Sequence, residues 1–172
     1  HCFHFSAFAG DCELLVEGLD ENHQEAKALE LAQLAYDEAQ RVQDKFSRYN
    51  SCSILSQANA QAGQGEIEIE DEFAALLDFA KSCAELSEGL FDVTAGSLRK
   101  LWAFDAQENV LHEAPTLKRA LSRVGFHRLQ WRTNPKHPAR LRMEQGMQLD
   151  FGGTGKEYAV DRVCALLHRA GA

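Results

Sequence analysis

From about Glu21 to Phe46 the apolar residues Ala28, Leu31, Ala35, Ala39, Val42 and Phe46 step by 3, 4, 4, 3 and 4, the spacing of one stripe along a long α-helix. The positions between them are filled by Glu, Gln, Lys and Asp, so the opposite face is wet. A helix of this kind must bury its stripe against other elements of the chain, and their patterns are legible. Phe3, Phe5 and Ala7 share one parity and His4, Ser6 and Phe8 the other, before a turn at Gly10-Asp11 leads into Cys12 to Val16; this predicts two short strands. Glu66-Ile67-Glu68-Ile69-Glu70 alternates strictly and predicts a half-buried strand. Asp71 is placed to cap a helix carrying Phe73, Leu76, Leu77, Ala80, Cys83 and Ala84, which Gly89 ends.

Further helices are expected from Thr94 to about Trp102 and from Pro115 to about Val124. In the second, Pro at the first helical position forfeits no hydrogen bond, and Gly125 closes the helix. Strands are expected at Arg128 to Trp131, Leu141 to Met143 and Met147 to Phe151, separated by the polar stretch Arg132 to Pro138 and by Glu144-Gln145-Gly146. A last helix runs from about Gly155 to Ala170 with Tyr158, Val163, Leu166 and Leu167 turned inward. Helix runs mixed with strand runs, without βαβ alternation, indicate an α+β fold with a mixed or antiparallel sheet and packed helices. The chain has 172 residues and shows no repeat, low-complexity tract or linker, which indicates a single domain over residues 1–172.

Acidic residues outnumber basic ones, 26 against 18, for a net charge of −8. Such a surface has no general attraction for nucleic acid or an anionic membrane. An anionic ligand therefore needs a local trap of backbone N–H groups and a few cations. The five cysteines, Cys2, Cys12, Cys52, Cys83 and Cys164, are odd in number, scattered, and without a C-x-x-C pair. This usage fits a reducing compartment, hence the cytoplasm; an exported lipoprotein is the alternative where a signal has been removed. No lipobox surrounds Cys2, and no run of apolar residues is long enough to span a membrane. His1, Cys2 and His4 have the chemistry to take a transition metal, although such N-terminal clusters are more often incidental. Trp102 and Trp131 read as core; His127, His137 and His168 lack catalytic neighbours, and no cysteine has a partner that marks a nucleophile.

The most informative stretch is Leu149-Asp150-Phe151-Gly152-Gly153-Thr154-Gly155-Lys156, a strand that runs through three glycines directly into a helix. Glycines let the backbone approach a ligand closely, successive N–H groups point at it, and the helix N-terminus adds about half a positive charge beside the full one of Lys156. Phosphates suit such a place; a tight strand-to-helix turn with a solvated lysine is the plainer reading. Known phosphate loops do not match: a Walker A loop needs Gly at Asp150 and Ser or Thr at Glu157, and Tyr158 occupies the third glycine of a dinucleotide fingerprint. Two further segments stand out. Gly89 to Leu98, followed by Leu101-Trp102-Ala103-Phe104, sets Asp92 and Thr94 on a loop before a helix, and Ser47 to Asn59 offers Tyr49 for stacking on a planar ring amid several hydroxyls.

In this order and spacing, the three segments resemble the FAD:protein FMN transferase family, also called the ApbE family. Its members are similar in an early Gly-Thr turn, then S-x-Y-x-x-x-S-x-L-S-x-x-N, then G-x-F-D-x-T-x-G-x-L-x-x-L/I-W-x-F, and later D-L/F-G-G/A-x-x-K-G-Y-A-V-D. The corresponding segments here are Gly10-Asp11, Ser47 to Asn59, Gly89 to Phe104, and Asp150 to Asp161. The resemblance implies an enzyme that uses Mg²⁺ and FAD. A threonine hydroxyl of a target protein attacks the FMN-side phosphorus, AMP leaves, and FMN stays attached through a phosphoester. Carried over by position, Ala9, Tyr49, Leu90, Phe91, Asp92, Asp150 and Lys156 fall at the cofactor, and the backbone carbonyl of Gly153 ligates the metal. No general base is identified. Asp11 replaces the usual Thr, and Glu157 replaces the Gly after Lys156. Family chains continue through an N-x-G-G segment, an H-x-x-D-P segment and a late Asp/Thr cluster that supplies side-chain metal ligands, so these 172 residues are expected to form the N-terminal part of the family fold. The alternatives are a non-catalytic FAD-binding or partner-binding module and an FAD pyrophosphatase giving FMN and AMP.

Overall fold

In the computed structural model, which describes residues 1–18, 24–99, 101, 113–134 and 136–172, the parity pattern of the first residues becomes a hairpin. Strand β1 (Cys2–Ala7) pairs antiparallel with β2 (Gly10–Leu15). The turn lies two residues before its expected place: Phe8 and Ala9, at φ of 53° and 56°, take the left-handed conformation, and Gly10 is already paired with Ala7. Two successive positive φ values match the right-handed twist of the strands. Register outweighs turn chemistry here, because a one-residue slip would move Phe3, Phe5 and Ala7 to the other face. The tip is held by the Phe8 N–H, which donates to Gln43 Oε1.

Helix α1 (Gln24–Phe46) carries the expected stripe, and all six of its residues are buried. Residues 21–23, part of the expected helix, lie outside the described residues. Helix α1 lies against β1, with Phe5 edge-on to Tyr36 at 5.7 Å and Gln40 Nε2 donating to Ser6 O at 2.8 Å. It also lies along the last helix of the chain (Gly155–Arg169), where Phe46 meets Tyr158 edge-on at 6.3 Å. That last helix buries Gly155 and Ala159, while Tyr158, Val163, Leu166 and Leu167 are half-buried. Ala28, Ala35, Ala39 and Ala159 are buried in these helices. These elements make one compact unit, residues 1–53 with 152–172; residues 54–151 make a second.

The second unit begins with helix α2 (Ile54–Ala60), followed by strand β3 (Glu66–Ile69) and helix α3 (Asp71–Leu86). Glu70, not Asp71, holds the cap position of α3, without a side-chain capping bond; Asp71 is the first helical residue, where its negative charge complements the positive end of the helix dipole. Helix α4 (Ala114–Leu121) opens one residue before the expected start, with Glu113 at the cap and Pro115 in second place, where its missing N–H still forfeits no helical hydrogen bond, and it ends three residues short of Val124. Strands β4 (Gln130–Asn134) and β5 (His137–Arg142) complete an antiparallel sheet of order β3-β5-β4. Most of the polar stretch expected to be a connection is therefore strand. Its charges sit on one face in ion pairs, Arg132 to Glu66 and Arg140 to Glu68, both at 2.8 Å, while Ile69, Ala139 and Leu141 are buried on the other. Helix α3 covers β4 and β5 and buries Phe73, Leu76, Leu77 and Ala80; Cys83, expected on that face, is half-buried.

Two other expectations change. Of the helix expected from Thr94 to Trp102, the described residues form a single 3₁₀ turn at Gly96–Leu98; Trp102 and Phe104 lie outside them. The segment expected as a strand from Met147 to Phe151 joins no sheet; Gln148 makes an isolated parallel bridge with Ala95. Arg128, the first residue of another expected strand, instead ends a 3₁₀ turn, Phe126–Arg128, and that strand begins at Gln130.

Candidate functional site

With no ladder to hold it, the segment leading to the glycine turn is fastened by side chains. Asn59, near the end of α2, meets both main-chain groups of Leu149: its Nδ2 donates to the carbonyl at 2.9 Å, and its Oδ1 accepts from the N–H at 2.7 Å. One residue on, the Asp150 N–H donates to Val93 O at 2.8 Å. One residue back, the Gln148 N–H donates to Ser97 Oγ at 3.1 Å. Gly96 is required in this contact, because a Cβ there would stand 2.6 Å from the Gln148 carbonyl oxygen. Phe151 then enters the core, 5.6 Å from the Phe73 ring and edge-on to it.

The loop doing this fastening is itself braced by Asp92. Its Oδ1 accepts from the Thr94 N–H at 2.8 Å and from Thr94 Oγ1 at 2.6 Å, and its Oδ2 accepts from the Phe126 N–H at 2.8 Å. Thr94, fully buried, accepts in turn from the Gly125 N–H at 2.7 Å. Asp92 thus shapes the loop with both carboxylate oxygens. Its neighbours differ: the Phe91 N–H donates to Ser87 Oγ at 2.9 Å, and the Leu90 side chain is 93% exposed.

Within residues 1–53 and 152–172, the other candidates lie on three segments. Ala9 is exposed at the hairpin tip. Tyr49 follows α1, its ring 4.9 Å beneath the Arg48 guanidinium and its hydroxyl accepting from Arg48 Nη2 at 2.7 Å. Gly153 and Lys156 are exposed at the turn and first residues of helix α5 (Gly155–Arg169). Gly152 and Gly153 open to solvent, whereas Thr154 is buried and its Oγ1 finds no partner. An unpaired buried hydroxyl costs about 1–3 kcal/mol, and this one stands at the cap position of α5 beside unsatisfied helix N–H groups. That donor set fits phosphate oxygens. It does not make a Mg²⁺ site, which needs about six oxygens. Among the described residues the one cluster of His, Cys, Asp and Glu ligands lies at Cys2, His4 and Glu13, so the Gly153 carbonyl stands without side-chain ligands gathered around it. Asn59, Ser97 and Thr154 were not among the expected site residues. Asn59 closes one of the sequence segments singled out above, but nothing in sequence shows that its partner is 90 residues away.

Comparison with known proteins adds the following. A family model described as the ApbE family matches residues 11–172. A Treponema pallidum protein named FAD:protein FMN transferase is 33% identical over 119 residues, covering 67% of this chain and 33% of its own length. One from Haemophilus influenzae with the same name is 28% identical over 135 residues, 76% of this chain and 39% of that one. Among solved structures, the ApbE protein of Thermotoga maritima superposes with a TM-score of 0.80 at 25% identity, covering 95% of this chain and 50% of that one. The flavinyl transferase ApbE of Pseudomonas stutzeri shares the fold, with a TM-score of 0.80 at 22% identity over 99% of this chain and 52% of its own. The chain thus spans about a third of the length of the first relative and half of the solved structures.

Proposed function

Since the chain belongs to the ApbE family, we propose that it forms the nucleotide-holding part of an FAD:protein FMN transferase. The reaction is attack by a threonine hydroxyl of an acceptor protein on the FMN-side phosphorus of FAD. A new P–O bond forms to the threonine, the bond to the bridging oxygen breaks, AMP leaves with that oxygen, and the threonine proton passes to solvent or to the leaving phosphate. The observation that carries this reading is the open Gly152-Gly153 turn running into α5, with the buried hydroxyl of Thr154 unpartnered beside it. In the proposal the turn cradles the diphosphate, Lys156 offsets its charge, and Tyr49 stacks on a ring system. The acceptor protein and Mg²⁺ belong to the same proposal. The Gly153 carbonyl would offer such an ion one oxygen, and the described residues gather no cluster of side-chain carboxylates beside it. A reducing compartment is also part of the reading, supported by five cysteines with no disulfide among them. Among the described residues no helix is long and apolar enough to cross a membrane.

Titration of FAD against the chain and its Asp150→Ala and Lys156→Ala variants tests the proposal. Each substitution is expected to weaken binding about tenfold, as loss of one charged contact does; unchanged affinity in both would sink the reading. Incubation with FAD, Mg²⁺ and a threonine peptide separates the outcomes further. AMP together with flavinylated peptide is expected of the transferase, AMP with free FMN marks a pyrophosphatase, and bound FAD without AMP marks a holding module.

A further inference from the structure

The outward face of the β1/β2 hairpin carries a side-chain cluster for which the transfer reading has no use. The alternation that sends Phe5 against α1 sends Cys2 and His4 to the other side, and strand register sets Glu13 directly across from His4. Cys2 Sγ lies 3.3 Å from His4 Nε2, and His4 Nδ1 lies 3.8 Å from Glu13 Oε2. One ligand atom from each of the three residues falls within 4.8 Å of the other two. Three ligands at about 2.3 Å for sulfur, 2.0–2.1 Å for imidazole and 2.0–2.2 Å for carboxylate around a tetrahedral ion stand roughly 3.5 Å apart. The two His4 contacts use different nitrogens of the ring, and an ion takes one of them; with a single nitrogen chosen the three ligand atoms lie within 4.8 Å of one another, so side-chain rotations of about an ångström bring them to that spacing.

We propose that Cys2, His4 and Glu13 form a binding site for a divalent cation of the Zn²⁺ class, with a fourth position left to water or an outside ligand. Ligand chemistry selects the ion: thiolate and imidazole favour Zn²⁺ and its neighbours, whereas Mg²⁺ and Ca²⁺ take oxygen donors. Placement sets the geometry, since an i, i+2 pair on one strand and the cross-strand partner of its second member are fixed by backbone hydrogen bonds alone. All three side chains are exposed, so the ion exchanges freely with solvent and the fold does not depend on it.

Titration of the full chain with Co²⁺, a coloured substitute for Zn²⁺, is the test. One equivalent is expected to bind with a thiolate-to-metal charge-transfer band and the intense visible bands of a tetrahedral site, erased by Zn²⁺ and unmoved by excess Mg²⁺. Cys2→Ser is expected to abolish the charge-transfer band, and His4→Ala and Glu13→Gln each to raise the Kd about tenfold or more. Far-ultraviolet circular dichroism and FAD affinity are expected to stay unchanged in all three, which keeps this test separate from that of the flavin reading. A weak octahedral spectrum only, a band that survives in Cys2→Ser, or an affinity indifferent to both His4→Ala and Glu13→Gln would overturn the proposal.

Discussion

A single amide at Asn59 satisfies both main-chain groups of Leu149, and Leu149 is 1% exposed. Asn59→Ala leaves a buried N–H and a buried carbonyl unpaired at about 1–3 kcal/mol each, so a loss of roughly 2–5 kcal/mol is expected in urea unfolding. Thr154 behaves in the opposite way. Its buried Oγ1 has no partner, so the near-isosteric Thr154→Val is expected to raise stability by about 1 kcal/mol without ligand. If, as proposed, the turn seats the nucleotide, the same change is expected to lower FAD affinity, because the hydroxyl does nothing for the fold that a methyl would not do. A variant with unaltered stability and unaltered FAD binding would count against that role.

At the scale of elements, α1 and α5 are joined through Glu38, which is nearly buried and accepts from Arg41 at 2.7 Å on its own helix and from Arg162 at 3.1 Å on α5. The hydrogen bond from Arg41, reinforced by Arg162, holds the Glu38 carboxyl below its usual range despite burial. A carboxylate whose folded value lies below its unfolded one contributes stability that is complete above the ordinary carboxylate range and fades as pH falls through the lowered value. Urea midpoints measured down that acid limb are therefore expected to fall more steeply for the native chain than for Glu38→Gln, the two curves converging at the acid end. The hairpin illustrates a different point at this scale. Its turn at Phe8 and Ala9 carries two non-glycine residues at positive φ, a local cost of about 1–2 kcal/mol per residue, and the register of the inward face outweighs it.

Across the whole molecule, the segment before the turn is pinned and the turn itself is open. The Leu149 and Asp150 amides donate to Asn59 and Val93 respectively, whereas Gly153 is exposed. Hydrogen exchange is expected to find the Leu149 and Asp150 amides slow with or without FAD and the Gly153 amide fast until FAD is added. Protection spread evenly over all three, or none on adding FAD, would contradict the proposed seat for the diphosphate.

The stripe from Ala28 to Phe46, the alternation at Glu66 to Ile69 and the α+β class were all legible in the residue pattern, because periodicity records which face of an element is buried. So were the segments around Tyr49, Asp92 and Asp150, because glycines, caps and short polar residues leave a local trace. The pattern misjudged the stretch around Arg132 and Arg140, since a strand whose outer face is charged and ion-paired reads as a loop until its partners Glu66 and Glu68 are known. It also took Met147 to Phe151 for a ladder strand, where a bridge and the amide of Asn59 do the fastening. Hydrogen bonds between residues tens of positions apart obey no period. For that reason the chain alone determined the elements and the chemistry available to them, while the folded arrangement decided that Asp92 braces a loop, that Thr154 is left with an unpaired hydroxyl, and that Glu13 stands beside Cys2 and His4.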